Sequence, residues 1–131
     1  PGDRAANMDL LEEGDLYVAD FGSGTWLLLD YERNPDLRDA VDETGEPVVR
    51  SQAQVLADAR TAALAIGGTP VDRPEDIEIH PRTGEIYVAL TNNSDHGNYY
   101  GQIVKLREAE DNWAAESFRW EIFAVGGAQS G

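Results

Sequence analysis

The fold is decided by residues 75–125, which read EDIEIHPRTGEIYVALTNNSDHGNYYGQIVKLREAEDNWAAESFRWEIFAV. Apolar and polar residues alternate in four segments of this stretch, a pattern that is typical of half-buried strands. The four segments are residues 76–80, 85–90, 101–107 and 117–125. A tight Pro-Arg-Thr-Gly turn and two polar loops separate them. The sequence therefore predicts four consecutive antiparallel strands.

Two further strands are predicted upstream, over residues 15–20 (DLYVAD) and 25–31 (TWLLLDY). Gly22-Ser23-Gly24 supplies turn residues between them, so the pair is interpreted as an antiparallel hairpin. The continuous apolar run of the second strand predicts burial on both of its faces. The acidic residues 32–50 that follow contain two prolines and predict a long loop.

A single helix is predicted over residues 51–67. Ser51 and Gln54 have the spacing of a capping box, and Gly67-Gly68 ends the segment. Apolar side chains recur between these ends at helical spacing and predict one buried stripe: Val55, Ala59, Ala62, Ala63 and Ile66.

Four strands in about 50 residues have the size of one blade of a β-propeller. The predicted fold class is therefore mainly β, with antiparallel strands of about one and a half to two propeller blades and one inserted helix. Residues 1–131 would form a single partial domain, with a hairpin of a preceding blade (1–31), a loop (32–50), a helix (51–67) and a four-stranded blade (75–125). A small self-contained β-meander with one helix is the alternative, and periodicity alone does not separate the two.

Composition excludes several classes of function. The chain has 10 Lys and Arg against 25 Asp and Glu, a formal net charge of −15, which would repel the phosphates of a nucleic acid. No apolar run approaches the roughly 20 residues of a membrane-spanning helix. The absence of Cys removes disulfides, thiolate zinc sites and cysteine nucleophiles. The chain begins Pro1-Gly2 and stops in a small polar tail, and we expect it to be a piece of a longer protein.

The densest polar cluster is Asp72-Arg73-Pro74-Glu75-Asp76. Pro74 predicts an extended Arg73, and an extended backbone places Arg73 and Glu75 on one side, roughly 6.5 Å apart along the strand. Arginine can grip phosphate oxygens in bidentate fashion, and a glutamate can hold a metal ion. The alternative is an ordinary surface ion pair at the start of a strand.

Residues 92–98 (NNSDHGN) form a loop of oxygen ligands that suit hard cations. They lack the spacing and the closing Glu of an EF-hand, so composition alone favours a polar turn. His80, which stands before a turn, is interpreted as structural. The motifs of nucleotide-binding loops, His-Glu-x-x-His zinc sites and serine-hydrolase elbows do not occur.

Several segments together resemble the PhoX-type alkaline phosphatases. The stretch DLYVA at 15–19, with Phe21, Gly24 and Trp26-Leu27, is similar to the first hairpin of that family. Further segments follow the family pattern in order: Ser51-Gln52-Ala53, Asp72 to Asp76 (DRPED), Pro81, Thr83-Gly84, Tyr87 to Asn93 (YVALTNN) and Trp120 to Phe123 (WEIF). The combination of Arg-Pro-Glu-Asp with Tyr-Val-Ala-Leu-Thr-Asn-Asn is specific, and the resemblance covers nearly the whole chain. It favours the propeller over the meander.

The resemblance implies a monomeric propeller that hydrolyses phosphate monoesters with calcium and iron near its axis. It implies export of the folded protein, typically through a twin-Arg signal, to the periplasm or the outside. It assigns phosphate contact to Arg73 and metal ligation to Glu75. Asp76 and Asn92 occupy matching motif positions and are carried over as candidate metal ligands.

This chain departs from the family pattern at the iron site, since the family uses a Cys thiolate there and this sequence has no Cys. Other carboxylate and Arg groups of the family site come from other blades. We therefore expect this chain to hold one edge of the site and to be inactive alone. The rest of a propeller would complete the site, and without it the chain is expected to self-associate. The alternatives are a non-enzymatic calcium-binding scaffold and a propeller hydrolase of the sugar-lactonase type.

Overall fold

The computed structural model describes residues 14–127. Residues 1–13, which belong to the predicted hairpin segment, lie outside the described part. The described residues form two compact units, one of residues 14–18 and 27–68 and the other of residues 19–26 and 69–127. That residues 1–131 are a single partial domain stays a prediction. Between residues 14 and 127, no helix has the length and apolar character that crossing a membrane requires.

Within residues 14–127, six strands make up two sheets. Strands β1 (Tyr17–Asp20) and β2 (Thr25–Leu28) pair with each other. The second sheet has four strands in chain order, each antiparallel to the next: β3 (Pro74–Ile79), β4 (Ile86–Leu90), β5 (Gln102–Glu108) and β6 (Phe118–Val125). The predicted mainly antiparallel fold is confirmed. All four residues of strand β2 are partly buried, so both of its faces are covered as predicted, but neither face is fully buried.

The long loop predicted over residues 32–50 contains a short helix, α1 (Pro35–Arg38). The Asn34 side chain accepts hydrogen bonds from the backbone N–H groups of Asp36 and Leu37, and Pro35 opens the first turn. Leu37 is fully buried. The segment is therefore anchored in a core rather than solvated throughout, which corrects the loop prediction.

The single helix predicted over residues 51–67 is two helices, α2 (Gln52–Ala57) and α3 (Ala59–Ala65). Ser51 Oγ accepts from the N–H of Gln54, which confirms the predicted cap. Asp58 interrupts the helix with φ −136° and ψ 62°, and its side chain caps α3 through the N–H of Thr61. The predicted stripe contributes Val55 and Ala62 to a core that also holds Leu29, Leu37 and Val49.

The core of the second unit lies on one face of the four-stranded sheet. The register pairs Ile86 with Leu106 and Val88 with Val104, so these side chains share that face. Phe118 is buried beside them, and its ring lies 5.6 Å from that of Phe21 and 4.7 Å from that of Trp26. This packing fixes the blade that carries the site described next.

Candidate functional site

The start of β3 is irregular. Pro74 pairs with Leu90 and Asp76 pairs with Ala89, so Glu75 is the extra residue of a β-bulge. Arg73, immediately before, has a φ of 45°, in the left-handed region that is unfavourable for residues other than glycine. The extended conformation predicted for Arg73 is therefore wrong.

Hydrogen bonds on both sides of Arg73 explain this backbone. Its N–H donates to the carbonyl of Val71 at 3.0 Å, which closes a tight turn around Asp72. Its carbonyl accepts from the N–H of Thr91 at 3.2 Å and from Oγ1 of Thr91 at 3.4 Å. A strained backbone persists where the surrounding bonds over-determine it, as they do here.

The structure brings together three of the four predicted site residues. Arg73 Nη2 lies 3.8 Å from Glu75 Oε1, and Arg73 Nη1 donates a long, 3.5 Å hydrogen bond to Asn92 Oδ1. The side chains of Arg73 and Glu75 are 64% and 54% exposed. Such long and exposed contacts are weak, so both groups keep the capacity to bind an anion or a cation.

Asp76, the fourth predicted residue, is engaged locally. Its Oδ1 accepts the backbone N–H of Ile77 at 2.9 Å. That N–H follows directly in the chain, so the carboxylate folds back on its own strand. The structure does not bring Asp76 into the group formed by Arg73, Glu75 and Asn92.

Asp72 lies beside this group; it belongs to the Asp72–Asp76 polar cluster of the sequence, but no role was predicted for it. Its carboxylate accepts hydrogen bonds from His96 Nδ1 at 2.6 Å, Asn93 Nδ2 at 3.0 Å and Asn98 Nδ2 at 3.3 Å. The Asp72 side chain is only 10% exposed, whereas that of His96 is 61% exposed. The bond from His96, with those from Asn98 and Asn93, lowers the pKa of Asp72 against the opposing effect of burial. These four residues are called the Asp72 network below.

The loop of residues 92–98 thus serves largely as a donor surface. Asn93 and Asn98 direct amide nitrogens at Asp72, and Asn93 Oδ1 accepts from the N–H of Asp95. Asn93 and Asn98 therefore make the contacts expected of a polar turn. The pairing of β3 with β4 places the start of β3 beside the residues that follow β4. The sequence predicted the two strands as antiparallel neighbours, but it did not indicate which loop side chains reach Asp72.

Residues 14–127 contain no group of three or more His, Cys, Asp or Glu side chains that could hold a metal ion. Calcium takes six to eight oxygen ligands, and Glu75 can offer one exposed carboxylate to such a set. Taken alone, the described residues therefore fit one edge of a metal site and do not complete it.

Comparisons with known proteins agree on one family. A family model described as alkaline phosphatase PhoX matches residues 1–131. No match was found among curated proteins. Among solved structures, the chain is similar to Pseudomonas fluorescens PhoX in complex with vanadate, a transition state analogue, with 34% sequence identity and a TM-score of 0.73. The similarity covers 90% of this chain and 23% of that chain, so the residues in hand span less than a quarter of the related structure.

Proposed function

This chain belongs to the PhoX alkaline phosphatase family, and on that premise we propose that it is part of a metal-dependent phosphatase that hydrolyses phosphate monoesters. The family expected from the sequence motifs is confirmed. Because the chain spans 23% of the related PhoX structure, the activity is proposed for the longer protein that contains it. The isolated chain is expected to show little or no turnover.

The pair of Arg73 and Glu75, 3.8 Å apart and both exposed, is the observation that carries the proposal. A guanidinium presents a planar fork of N–H donors that matches phosphate oxygens. Placed beside the transferring phosphoryl group, it would stabilise the charge spread over the equatorial oxygens. The vanadate bound in the related Pseudomonas protein, described as a transition state analogue, supports a phosphoryl-transfer role.

Calcium and iron are proposed as the metals on the strength of the family resemblance. Glu75 would hold one of them, and Asn92 and Asp76 are the further candidates in this chain. Bound metal would neutralise phosphoryl oxygens and activate an attacking oxygen. The 131 residues contain no Cys, so a thiolate ligand would have to come from another part of the longer protein.

We further propose a periplasmic or secreted location, which follows from the family resemblance. Fractionation of cells that express the longer protein tests this point. Recovery of the protein from the cytoplasmic fraction alone would contradict it.

The function is tested on the full-length protein with para-nitrophenyl phosphate in the presence of calcium and iron. Arg73→Ala is expected to lower kcat/KM by roughly 100-fold or more, the usual effect of losing one preorganised donor to a developing charge. Arg82→Ala is the matched control, because Arg82 is an exposed arginine of the turn after β3. A chelator is expected to abolish hydrolysis.

Three results would contradict the proposal. One is an unchanged rate in Arg73→Ala. Another is calcium binding without any hydrolysis, which would support the scaffold alternative. The third is hydrolysis of sugar lactones in place of phosphate esters.

A further inference from the structure

We propose that Asp72 is a positioning residue, whose carboxylate fixes the loop after β4 against the left-handed turn at Arg73 and so sets where the guanidinium lies. The inference rests on the function proposed above for Arg73. It adds a set of residues, the Asp72 network, that orient the guanidinium of Arg73 without contacting phosphate themselves.

The carboxylate of Asp72 is occupied by donors from a single loop. His96, Asn93 and Asn98 all donate to it. A charge that is largely removed from water is costly unless such donors satisfy it. The loop therefore cannot leave Asp72 without exposing an unpaired carboxylate, and the two segments are held together.

The loop is also closed on itself by two backbone hydrogen bonds. The N–H of Asn93 donates to the carbonyl of Asn98 at 2.6 Å, and the N–H of Asn98 donates back at 3.0 Å. A single 3-10 turn, Ser94–His96, connects them, and Gly97 follows with a φ of 74°. A compact loop of this kind transmits a shift at one end to the other.

Three hydrogen bonds carry the position of the loop to Arg73. Asn98 Nδ2, which reaches Asp72, also donates to the carbonyl of Thr91 at 2.9 Å. Thr91 in turn donates from its N–H to the carbonyl of Arg73. Asn92, the next residue, receives the guanidinium of Arg73. Main chain and side chain of Arg73 are thus both bonded to the segment that Asp72 anchors.

The anchor at Asp72 helps to hold Arg73 in its strained backbone conformation. A φ of 45° immediately before proline is unfavourable, and the residue would relax toward an extended conformation if its partners were released. Relaxation would carry the guanidinium away from Glu75 and Asn92. A displaced guanidinium would lose its contacts to the phosphate oxygens of the bound ester and of inorganic phosphate alike, so the network bears directly on phosphate binding.

The experiment uses the full-length protein and compares Asp72→Ala, Asp72→Asn and His96→Gln. The control is Asp42→Ala, since the Asp42 carboxylate likewise accepts several hydrogen bonds, from Thr44 and Glu46, within a local turn. Four quantities are measured: kcat and KM for para-nitrophenyl phosphate, the affinity for inorganic phosphate by calorimetry, and amide hydrogen exchange over residues 91–101.

Asp72→Ala is expected to raise KM and weaken phosphate binding by roughly 10- to 100-fold, with a smaller change in kcat. Exchange at Thr91 is expected to accelerate. For Asp72→Asn, KM and phosphate affinity are expected to lie between those of the wild type and Asp72→Ala. One oxygen acceptor remains in this variant, but the new amide group faces the donors of the loop. His96→Gln keeps a hydrogen-bond donor, so its KM and phosphate affinity are expected to stay close to those of the wild type. If an imidazole were required at this position, both would change.

An unchanged KM and an unchanged phosphate affinity in Asp72→Ala would overturn the inference. If that variant fails to fold, Asn98→Ala is used instead, since it removes one donor and the link to Thr91; its KM is expected to rise, and no rise would overturn the inference. Wild-type protein that hydrolyses no phosphate monoester would refute the proposed function separately. Phosphate affinity, compared between wild type and Asp72→Ala, would then decide the positioning role by itself.

Discussion

The guanidinium of Arg73 lies 3.8 Å from the carboxylate of Glu75, although the backbone between them is not a regular strand. Arg73 is left-handed, and Glu75 is the extra residue of a bulge. Bulges are over-represented next to active sites, where they re-aim a side chain. The proximity that strand alternation predicted is therefore present, and it arises from a local irregularity.

Glu75→Gln is expected to lower the metal content of the full-length protein and to reduce kcat/KM by at least about tenfold. The amide keeps the shape of the side chain and removes the negative charge that attracts a cation. Metal analysis of the purified protein provides the readout, with Glu78→Gln as the control, because Glu78 is an exposed glutamate of the same strand. Unchanged metal content in Glu75→Gln would remove Glu75 from the site.

Asp72→Asn is expected to reduce the acid sensitivity of the fold. The pKa of Asp72 is lowered in the folded chain, chiefly by the hydrogen bond from His96. The charged form therefore stabilises the fold above about pH 3.9, the pKa of an unfolded aspartate, and this contribution is lost as the pH falls through the folded pKa. The variant has no titrating group at this position, so its free energy of unfolding is expected not to show this decrease at acid pH.

The measurement is urea unfolding of the 131-residue chain at a series of pH values. The free energy of unfolding of the wild type is expected to exceed that of Asp72→Asn by more near neutral pH than below about pH 3.9. Other carboxylates with a lowered pKa, such as Asp20 and Asp111, titrate in both proteins and cancel in the difference. A difference that is independent of pH would contradict this prediction.

The four-stranded sheet could be predicted because its determinants are local. Alternation with a period of two and turn residues at fixed offsets are visible in any short window. The segment predicted as 85–90 is the strand Ile86–Leu90, and 117–125 is Phe118–Val125. Helix α1 was missed because prolines and acidic residues dominate residues 32–50, yet the Asn34-Pro35 cap was visible in the sequence.

The candidate site was predictable only in part. Arg73, Glu75 and Asn92 follow from motifs, and the structure groups them. The role of Asp72 depends on partners 21 to 26 residues away in the chain. Neither its burial nor those partners leave a local pattern, because both arise from the pairing of β3 with β4 and from the closure of the following loop. The burial and the partners of Asp72 therefore become visible only in the folded structure.

Gly24→Ala is expected to destabilise the fold more than Gly45→Ala. Both glycines have positive φ, 69° and 85°, and a left-handed alanine costs about 1–2 kcal/mol. At Gly24 a Cβ would also lie 2.6 Å from the carbonyl oxygen of Phe118, whereas at Gly45 it would meet no atom within 4 Å. Overpacking adds roughly 1–3 kcal/mol. Thermal unfolding of the two variants measures the difference, and equal destabilisation would contradict the close approach.

The last prediction concerns the apolar face of the four-stranded sheet. Ile77 pairs with Val88, and Ile122 pairs with Val104, so the two isoleucines continue the face that carries the buried core. They are nevertheless 62% and 51% exposed, and strand β3 is exposed along its whole length. Exposed apolar surface and unpaired strand edges favour association. The 131-residue chain on its own is therefore expected to self-associate at high concentration.

Sedimentation velocity over a range of protein concentrations checks this expectation. Replacing Ile77 and Ile122 together by lysine is expected to shift the chain toward monomer, since charge on an exposed apolar face opposes its burial against another chain. Ile103→Lys is the matched control, because Ile103 pairs with Ala89 and points to the opposite face. A monodisperse wild-type monomer at high concentration, with a cooperative melt, would show that this face needs no partner. Association that survives the double substitution would place the contact elsewhere.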